Sequence, residues 1–353
     1  MKILHVLGSN SFSGAENVAC QIINMTRDFA ESVYVSKNGL IKDALESREI
    51  RHIMLDKLSI LKLKQVLKAE KPDVVHAHDM KASFICSIAI DKKTRFISHI
   101  HNNNYNSRRL TLKSVLYAFA AKKSDHIIWV SKSSYEGYIF SKFFKNKSTI
   151  LYNVIDTASI IENIEKDDKN YYYDIIFVGR LAYPKNPHKF VEIIAKLREQ
   201  YPNVTAAMVG SGEYYNEISS LIKKNGLEKN ISLLGFLDNP YKIMSNCKIM
   251  IITSEWEGTP MCALEAMFLG IPIISTPVDG MKDLIKENLN GFFASDTDSF
   301  VEYIKLLLSD KHLYNEVSKC QKDVFQTVNS LQKYADKIKD LYSEHNGRSI
   351  AQQ

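Results

Sequence analysis

The sequence lacks the segments that mark membrane-spanning or secreted proteins. No apolar run approaches the ~18 residues of a membrane-spanning helix. The start, MKILHVLGSN, has too short an apolar run for a secretion signal and no small-residue cleavage site. The five cysteines form no CxxC pair and have no metal-site spacing. These absences predict a cytoplasmic protein whose thiols stay reduced and fill the core.

Glycine-rich motifs and repeats are also scarce. LGSNSFSGAEN lacks the three-glycine fingerprint that follows the first strand of dinucleotide-binding domains, which disfavours an oxidoreductase. No internal repeat or low-complexity tract is present. The 353 residues, 45% hydrophobic and 24% charged, indicate an ordinary globular chain with room for two domains.

Positive charge is concentrated in the first half of the chain. Residues 1–150 hold 24 Lys and Arg against 13 Asp and Glu, whereas the remainder holds 22 against 27. This imbalance predicts an anionic partner for the first half, with a solvated basic surface as the alternative. Residues 106–125 and 137–147 mix lysines with aliphatic and aromatic side chains, which suits a lipid–water boundary. We therefore hypothesise peripheral docking on the anionic inner face of the cytoplasmic membrane; without a recognised binding module, nucleic acid is not expected.

Strand-like and helix-like segments alternate along the whole chain. Short aliphatic runs such as KILHVL, DVVHAH, YDIIFVGR and KIMIITS are separated by amphipathic stretches. This alternation predicts an α/β chain with two Rossmann-like, doubly wound parallel-sheet domains and a ligand cleft between them. The polar stretch 156–170 is the predicted linker between domains 1–155 and 171–330. Residues 331–353 are predicted to form an amphipathic helix and tail.

One acid interrupts an otherwise apolar helix in the stretch TSEWEGTPMCALEAMFLGIPII. Thr259 is the predicted N-cap, Pro260 the first helical residue and Gly270 the end of the helix. Glu265 lies in the second turn, and a buried, unpaired carboxylate costs several kcal/mol. It therefore needs hydrogen-bond donors, which the hydroxyls of a sugar or ribose could supply. A lysine or backbone amide of the same chain is the alternative partner.

Charged groups around this helix favour a phosphate-containing ligand. The amides of Met261 and Cys262 begin the helix and attract anions, and Glu257 precedes them. Arg180 and Lys185 follow the strand DIIFVG and could neutralise a diphosphate, although either could instead be a surface charge. Together these residues predict a sugar-nucleotide site.

At this point the sequence resembles a known family. EGTPMCALE, FVGRLAYPKN and SFSGAEN are similar to the acid pair, the Arg/Lys segment and the amino-terminal glycine loop of the retaining GT-B glycosyltransferases of family 4. DVVHAHD, LYNVID, MVGSGE and ISLLGFLDN follow in the family's order, so the resemblance covers residues 1 to about 340. It implies the GT-B fold, with the C-terminal helix crossing back to the first domain. It also implies transfer of a hexose or N-acetylhexosamine with retention of configuration.

The resemblance also implies roles for individual residues. Glu265 would bind the ribose hydroxyls, and Glu257 would bind hydroxyls of the donor sugar. Arg180 and Lys185 would hold the diphosphate. Gly14 would let the first loop approach the diphosphate. His101 would lie near the donor sugar, with His99 as the competing assignment, and His76 and His78 would shape the cleft. The other substrate-binding positions implied are Gly210, Phe236, Gly258, Thr259, Pro260, Met261 and Cys262.

The donor, the acceptor and the reaction follow from the same resemblance. Family frequency favours a UDP-linked sugar over a GDP-linked one, and the acceptor would be a glycan or lipid-linked intermediate of polysaccharide or lipopolysaccharide assembly. No metal or other cofactor is expected, because fixed cations would stabilise the leaving diphosphate. A sugar-nucleotide epimerase of the same architecture is an alternative. A catalytically silent GT-B subunit that binds an active partner is another, although the intact charged set disfavours it.

Overall fold

The computed structural model describes residues 1–101 and 107–344, and the chain divides into two compact units. One unit is Met1–Asn153 together with the segment that begins at Ser330, and the other is Val154–Asn329. No helix within the described residues is both long and apolar enough to span a bilayer.

The first unit is built on a seven-stranded parallel sheet. Its strands are β1 (Lys2–Val6), β2 (Glu31–Lys37), β3 (His52–Leu55), β4 (Val74–Ala77), β5 (Arg95–Ile100), β6 (His126–Trp129) and β7 (Ser148–Ile150). The helices up to residue 147 are α1 (Gly14–Met25), α2 (Ile41–Glu46), α3 (Ile60–Glu70), α4 (Met80–Ala89), α5 (Leu112–Lys123), α6 (Lys132–Glu136) and a 3-10 helix, Ser141–Lys147. The strand order is β3-β2-β1-β4-β5-β6-β7.

The second unit contains a six-stranded parallel sheet. Its strands are β8 (Tyr173–Val178), β9 (Ala206–Val209), β10 (Ile231–Gly235), β11 (Cys247–Ile252), β12 (Ile273–Ser275) and β13 (Phe292–Phe293). Its helices are α7 (Thr157–Glu165), α8 (Pro187–Arg198), α9 (Tyr215–Lys224), α10 (Tyr241–Ser245), α11 (Met261–Leu269), α12 (Asp279–Lys282), α13 (Thr297–Ser309) and α14 (Lys311–Val328). The strand order is β10-β9-β8-β11-β12-β13.

Both sheets are doubly wound, as the alternation of strands and helices predicted. In each sheet the first three strands follow one another towards one edge, and the later strands follow one another towards the opposite edge. The direction changes between β1 and β4 in the first sheet and between β8 and β11 in the second, and these are the switch points. Loops diverge at a switch point and leave a crevice outside the carboxyl ends of the strands, where ligands bind in such folds. The central strands are buried over nearly their whole length because helices cover both faces, which explains their continuous apolar sequences.

The last helix, α15 (Leu331–Ser343), belongs to the first unit. Its apolar face is buried through Tyr334, Ile338 and Leu341. The Arg95 guanidinium donates a 2.7 Å hydrogen bond to the Leu341 carbonyl, and the Lys339 ammonium lies 2.8 Å from Asp28. The return of the C-terminal helix to the first domain is therefore confirmed.

The predicted linker, residues 156–170, contains a helix instead of an irregular connection. Asp156 caps α7 by accepting hydrogen bonds from the amides of Ala158 and Ser159, and Ile160 is buried. The second unit accordingly begins at Val154 and ends at Asn329, whereas the sequence suggested 171 and 330. The segment is polar overall because Ile160 is the buried residue of α7 and the charged run EKDDKN follows Ile164.

Candidate functional site

The charged candidate residues of the second unit lie at the switch point of its sheet. The strands β8 and β11 are neighbours and parallel, so their carboxyl ends lie at the same edge of the sheet. Arg180 and Lys185 follow β8, and Glu257 follows β11. The structure thus brings together two groups of residues that the sequence places more than 70 positions apart.

Lys185 and Glu257 form an ion pair. The Lys185 ammonium lies 2.5 Å from Glu257 Oε1, which also accepts a 2.6 Å hydrogen bond from the Ser254 hydroxyl. Burial alone would lower the pKa of Lys185, but the adjacent Glu257 carboxylate outweighs it and holds the pKa above its usual value. Arg180 is exposed, and its charge opposes the protonation of Lys185 only slightly. Lys185 is therefore a fixed cation at neutral pH.

Backbone contacts hold the two loops together. The Thr253 hydroxyl donates to the carbonyls of Lys185 and Asn186, each at 2.9 Å, and the Glu255 amide donates to the Pro184 carbonyl at 2.9 Å. Asn186 has φ 50° and ψ 57°, and its side chain caps α8. Asparagine tolerates this left-handed conformation better than other non-glycine residues. The turn therefore forms without glycine.

Glu265 is buried in the middle of α11, as the sequence predicted. It is 7% exposed, and within the described residues its carboxylate accepts one hydrogen bond, from the Tyr241 hydroxyl at 3.4 Å. That distance is long for an O–H···O bond. Burial raises the pKa of Glu265 to about 7, and the Tyr241 bond opposes this only weakly. The lysine or amide partner considered as the alternative does not occur among the described residues, so this carboxylate can still accept donors from a ligand.

The helix α11 begins one residue later than predicted. Pro260 has ψ 124°, which is extended, so it is the N-cap residue and Met261 is the first helical residue. The prediction of Thr259 as N-cap and Pro260 as first helical residue was wrong by one position. Gly270 ends the helix with φ 74°, as predicted. The amides of Met261 and Cys262 still open the helix, where backbone N–H groups have no intrahelical acceptor.

Two glycines allow close contacts between loops. A Cβ at Gly280 would lie 1.6 Å from the Gly258 carbonyl oxygen, so α12 packs directly against the loop before α11. At Gly210, where φ is 140°, a Cβ would lie 1.9 Å from the Gly179 carbonyl oxygen. Gly210 therefore positions the loop that contains Arg180. Phe236 follows β10 and is 51% exposed, so its ring is available for a stacking contact.

The first loop of the first unit is organised by two acids. Gly14 is the first residue of α1, and the Ser13 hydroxyl donates a 2.5 Å hydrogen bond to the carboxylate of Glu16. Glu16 is buried, which raises its pKa. The Gly8 amide donates to Asp79 Oδ2 at 2.9 Å, and the other oxygen of Asp79 caps α4. Asp79 thereby ties the first loop to the end of β4.

Five histidines form a cluster at the switch point of the first sheet: His5, His76, His78, His99 and His101. They alternate along β1, β4 and β5 and the residues that follow those strands, so all five side chains point to one face of the sheet. We call this group the histidine cluster. His5, His76, His78 and His99 are fully buried, whereas His101 is partly exposed.

Hydrogen bonds join the rings of the histidine cluster into two chains. His78 is bonded through Nε2 to His5 Nδ1 and through Nδ1 to His101 Nε2, each at 3.0 Å. His76 is bonded through Nε2 to His99 Nδ1 at 3.2 Å and through Nδ1 to the hydroxyl of Tyr342 in α15 at 2.7 Å. Burial lowers the pKa of all five imidazoles, to about 3 for His5 and His101. They are therefore neutral at physiological pH.

Several of these residues were not identified from the sequence. Glu16 shares a helical face with the core residues Ala19 and Cys20, a periodicity that could have marked it as buried. Tyr241 and Tyr342 carry no local signal, since their partners Glu265 and His76 lie 24 and 266 positions away.

Comparison with known families agrees with this architecture. The family model described as Glycosyl transferases group 1 matches residues 158–324, and that described as Glycosyltransferase Family 4 matches residues 32–159. The chain belongs to these glycosyltransferases.

Relatives and solved structures extend over nearly the whole chain. The UDP-Gal:alpha-D-GlcNAc-diphosphoundecaprenol alpha-1,3-galactosyltransferase of Escherichia coli is 28% identical, over 97% of this chain and 96% of the relative. The capsular polysaccharide biosynthesis glycosyltransferase CapH of Staphylococcus aureus is 26% identical, over 88% of this chain and 92% of CapH. The crystal structure of Anabaena HepE in complex with UDP and glucose has a TM-score of 0.84 and 20% identity, over 98% of this chain and all of HepE. The predicted GT-B fold is confirmed.

Proposed function

We propose that the protein transfers a hexose or N-acetylhexosamine from a UDP-linked sugar to a glycan or lipid-linked acceptor, with retention of configuration. The observation that carries this proposal is the set of groups gathered in the second unit. Two cations, a helix N-terminus and two buried acids lie on the elements around one switch point. The names of the relatives support assembly of a polysaccharide or a lipid-linked sugar as the setting.

Lys185, Arg180 and the first amides of α11 are suited to holding a diphosphate. Positive charge fixed before the reaction stabilises the negative charge that develops on the leaving group. Lys185 is already charged and oriented by Glu257, so little reorganisation is needed when the diphosphate arrives. Since these groups supply the positive charge, we expect transfer to proceed without a divalent metal.

Glu265 is suited to binding the ribose of the nucleotide. Its carboxylate is buried with one long hydrogen bond, and two vicinal hydroxyls would supply the donors that it lacks. We assign the binding of donor-sugar hydroxyls to Glu257 and a stacking contact to Phe236. We assign no covalent nucleophile, and we propose that the acceptor attacks the face from which the diphosphate leaves.

Between the two candidate histidines, we assign the contact with the donor sugar to His101. His99 is fully buried, whereas His101 is partly exposed at the end of β5. Burial keeps the His101 imidazole neutral, with a pKa of about 3, so it would act as a hydrogen-bonding group and not as a cation.

We further propose that the first unit docks on an anionic lipid surface at the inner face of the cytoplasmic membrane. On α5, Leu112, Val115 and Phe119 are exposed beside the exposed cations Lys113 and Lys122. In residues 137–147, Tyr138 is buried and Phe140 and Phe144 pack against the core, which leaves Phe143 as the exposed aromatic at 82%, between two exposed lysines. Exposed apolar side chains interleaved with lysines are suited to the boundary between headgroups and acyl chains.

Turnover with nucleotide sugars tests the enzymatic proposal. Purified protein is incubated with UDP- and GDP-linked hexoses and N-acetylhexosamines, with and without lipid-linked acceptors, and the products are identified by mass spectrometry and NMR. We expect acceptor-dependent release of UDP and an α-linked product from an α-linked donor. Glu265→Ala and Lys185→Ala should each lower turnover at least ~100-fold. Isomerised donor in the absence of acceptor, or wild-type turnover in both variants, would contradict the proposal.

A further inference from the structure

Three members of the histidine cluster offer nitrogen atoms to a common point. One ring nitrogen from each of His78, His99 and His101 lies within 4.8 Å of the other two. His78 Nδ1 and His101 Nε2 face each other at 3.0 Å. His99 Nε2 is buried and has no hydrogen-bond partner among the described residues. A buried nitrogen without a partner costs free energy, and a bound cation would supply the missing interaction.

We propose that His78, His99 and His101 form a binding site for one divalent transition-metal ion that prefers imidazole ligands, such as Zn²⁺. The ligand atoms are His78 Nδ1, His99 Nε2 and His101 Nε2. With metal–nitrogen bonds of about 2.0–2.1 Å, the ligand atoms of a tetrahedral site are roughly 3.4 Å apart. The facing nitrogens of His78 and His101 need to separate by only a few tenths of an ångström.

Two of the three rings, His78 and His99, have behind them the hydrogen bonds that a metal site requires, whereas His101 Nδ1 is buried without a partner among the described residues. A metal-bound imidazole usually donates its second ring N–H to a neighbouring acceptor. His78 Nε2 has His5 Nδ1 at 3.0 Å, and His99 Nδ1 has His76 Nε2 at 3.2 Å. His76 in turn reaches the Tyr342 hydroxyl through Nδ1, which orients its Nε2 lone pair towards His99. Metal binding therefore keeps all three bonds and replaces only the bond between His78 and His101.

The other group of three histidines in the cluster is less suitable. One ring nitrogen from each of His5, His76 and His78 also lies within 4.8 Å of the other two. Both ring nitrogens of His76 are already bonded, to Tyr342 and to His99. A metal there would break one of these bonds in addition to one of the two bonds that His78 makes, to His5 and to His101.

Burial and ligand type determine which ions can enter. His78 and His99 are fully buried and His101 is partly exposed, so an ion would arrive beside His101. Three neutral nitrogen ligands without a carboxylate favour Zn²⁺, Ni²⁺, Co²⁺ or Cu²⁺ over Mg²⁺. An ion bound there also holds the ring that we assign to the donor sugar. This last consequence rests on the proposed function, and it predicts that the bound ion inhibits transfer.

Metal titration of the full-length chain tests the site without reference to activity. Zn²⁺ affinity and stoichiometry are measured by competition with a chromogenic chelator, and the ligands are identified from the X-ray absorption spectrum of the bound ion. We expect one ion per chain with three imidazole nitrogens, no response to Mg²⁺, and a loss of affinity of at least ~10-fold in His101→Gln. His76→Gln should weaken binding ~10- to 100-fold, since it removes the hydrogen bond behind His99.

A matched control and a fold check complete the test. His312→Gln removes an exposed histidine that lies 3.5 Å from Glu316, and it should leave the affinity unchanged. His101 follows the end of β5 and is partly exposed, so His101→Gln should keep the circular dichroism and melting temperature of the wild type. No bound ion, thiolate ligands, or equal affinity in a folded His101→Gln variant would overturn the proposal. A chain that binds Zn²⁺ at this site but transfers no sugar even after a chelator has removed the ion would reject the proposed function and leave the metal site intact.

Discussion

The ammonium of Lys185 and the carboxylate of Glu257 lie 2.5 Å apart at the carboxyl edge of the second sheet. The pair joins the loop after β8 to the loop after β11, and the Ser254 hydroxyl donates a further hydrogen bond to the same carboxylate oxygen. In the proposed function, a diphosphate would share Lys185 with Glu257. The pair would then act both as a structural link between two loops and as a preset charge for the ligand.

The ion pair predicts a measurable coupling in stability. Lys185→Met leaves the buried Glu257 without its counter-ion, whereas Lys185→Met with Glu257→Gln removes both charges. A double-mutant cycle by urea denaturation should give a coupling free energy of about 1–3 kcal/mol. Lys189→Met is the control, since Lys189 lies four residues along the chain and pairs with Glu192 and Thr297 instead. A coupling near zero would show that the pair contributes nothing to folding.

Glu265 predicts a pH-dependent stability. Its pKa is about 7 in the folded chain against an ordinary value of 4.5, so the folded state binds the proton more tightly. The free energy of unfolding should then fall as pH rises from 4.5 through 7. Glu265→Gln should abolish that loss, so the variant should be more stable than the wild type by about 3 kcal/mol at pH 8 and should differ little from it at pH 4.5. Unfolding free energies of both proteins across this range check the prediction. Glu316→Gln, at an exposed acid, should not change the profile, and a pH-independent effect of Glu265→Gln would contradict the assignment.

The close contact at Gly210 predicts a strong effect of a single methyl group. In Gly210→Ala the new Cβ would lie 1.9 Å from the Gly179 carbonyl oxygen, in addition to the strain at φ 140°. We expect a loss of at least about 3 kcal/mol in the free energy of unfolding. Gly235→Ala is the matched control, because φ is 71° but nothing lies within 4 Å of the added Cβ. It should cost only about 1–2 kcal/mol of backbone strain, and equal losses in the two variants would show that the contact with Gly179 is unimportant.

For two tyrosines of α15 we expect opposite changes in stability when the hydroxyl is removed. The Tyr342 hydroxyl is bonded to His76 Nδ1, so Tyr342→Phe leaves a buried nitrogen without a partner and should cost about 1–3 kcal/mol. The Tyr334 hydroxyl is buried and has no partner among the described residues, so Tyr334→Phe should be neutral or stabilising. Thermal denaturation of the two variants provides the comparison. Equal destabilisation would show that the bond to the histidine cluster is not what anchors the helix.

Membrane docking predicts a specific loss of binding at Phe143. Phe143→Ser should reduce sedimentation with anionic vesicles several-fold, because the exposed ring of Phe143 can insert at the lipid boundary. Tyr172→Ser removes a comparably exposed aromatic from the second unit and should have no effect. Binding of the wild type should weaken with added salt, since lysines contribute to it. Equal sedimentation with neutral and anionic vesicles at low salt would argue against docking.

Much of the fold could be predicted because its signals are local. The aliphatic runs that became β4, β8 and β11, and the helix that ends at Gly270, depend on periodicity and on capping within a few residues. The start of α11 was misplaced by one residue because the ψ angle of Pro260 depends on its surroundings. The sequence predicts a linker where α7 forms because the charged run EKDDKN makes the segment polar and hides a helix of nine residues.

The residue types of the proposed sugar-nucleotide site can be read directly from the chain, since an acid in the middle of an apolar helix stands out wherever it occurs. The pairing of those residues depended on folding. Lys185 meets Glu257 across 72 positions, and five histidines meet through the register of three strands and the return of Tyr342 across 266 positions. Desolvation by the surrounding core then sets their protonation, as the pKa of about 7 at Glu265 shows. Register and desolvation arise from contacts between distant segments, so no short stretch of sequence carries them.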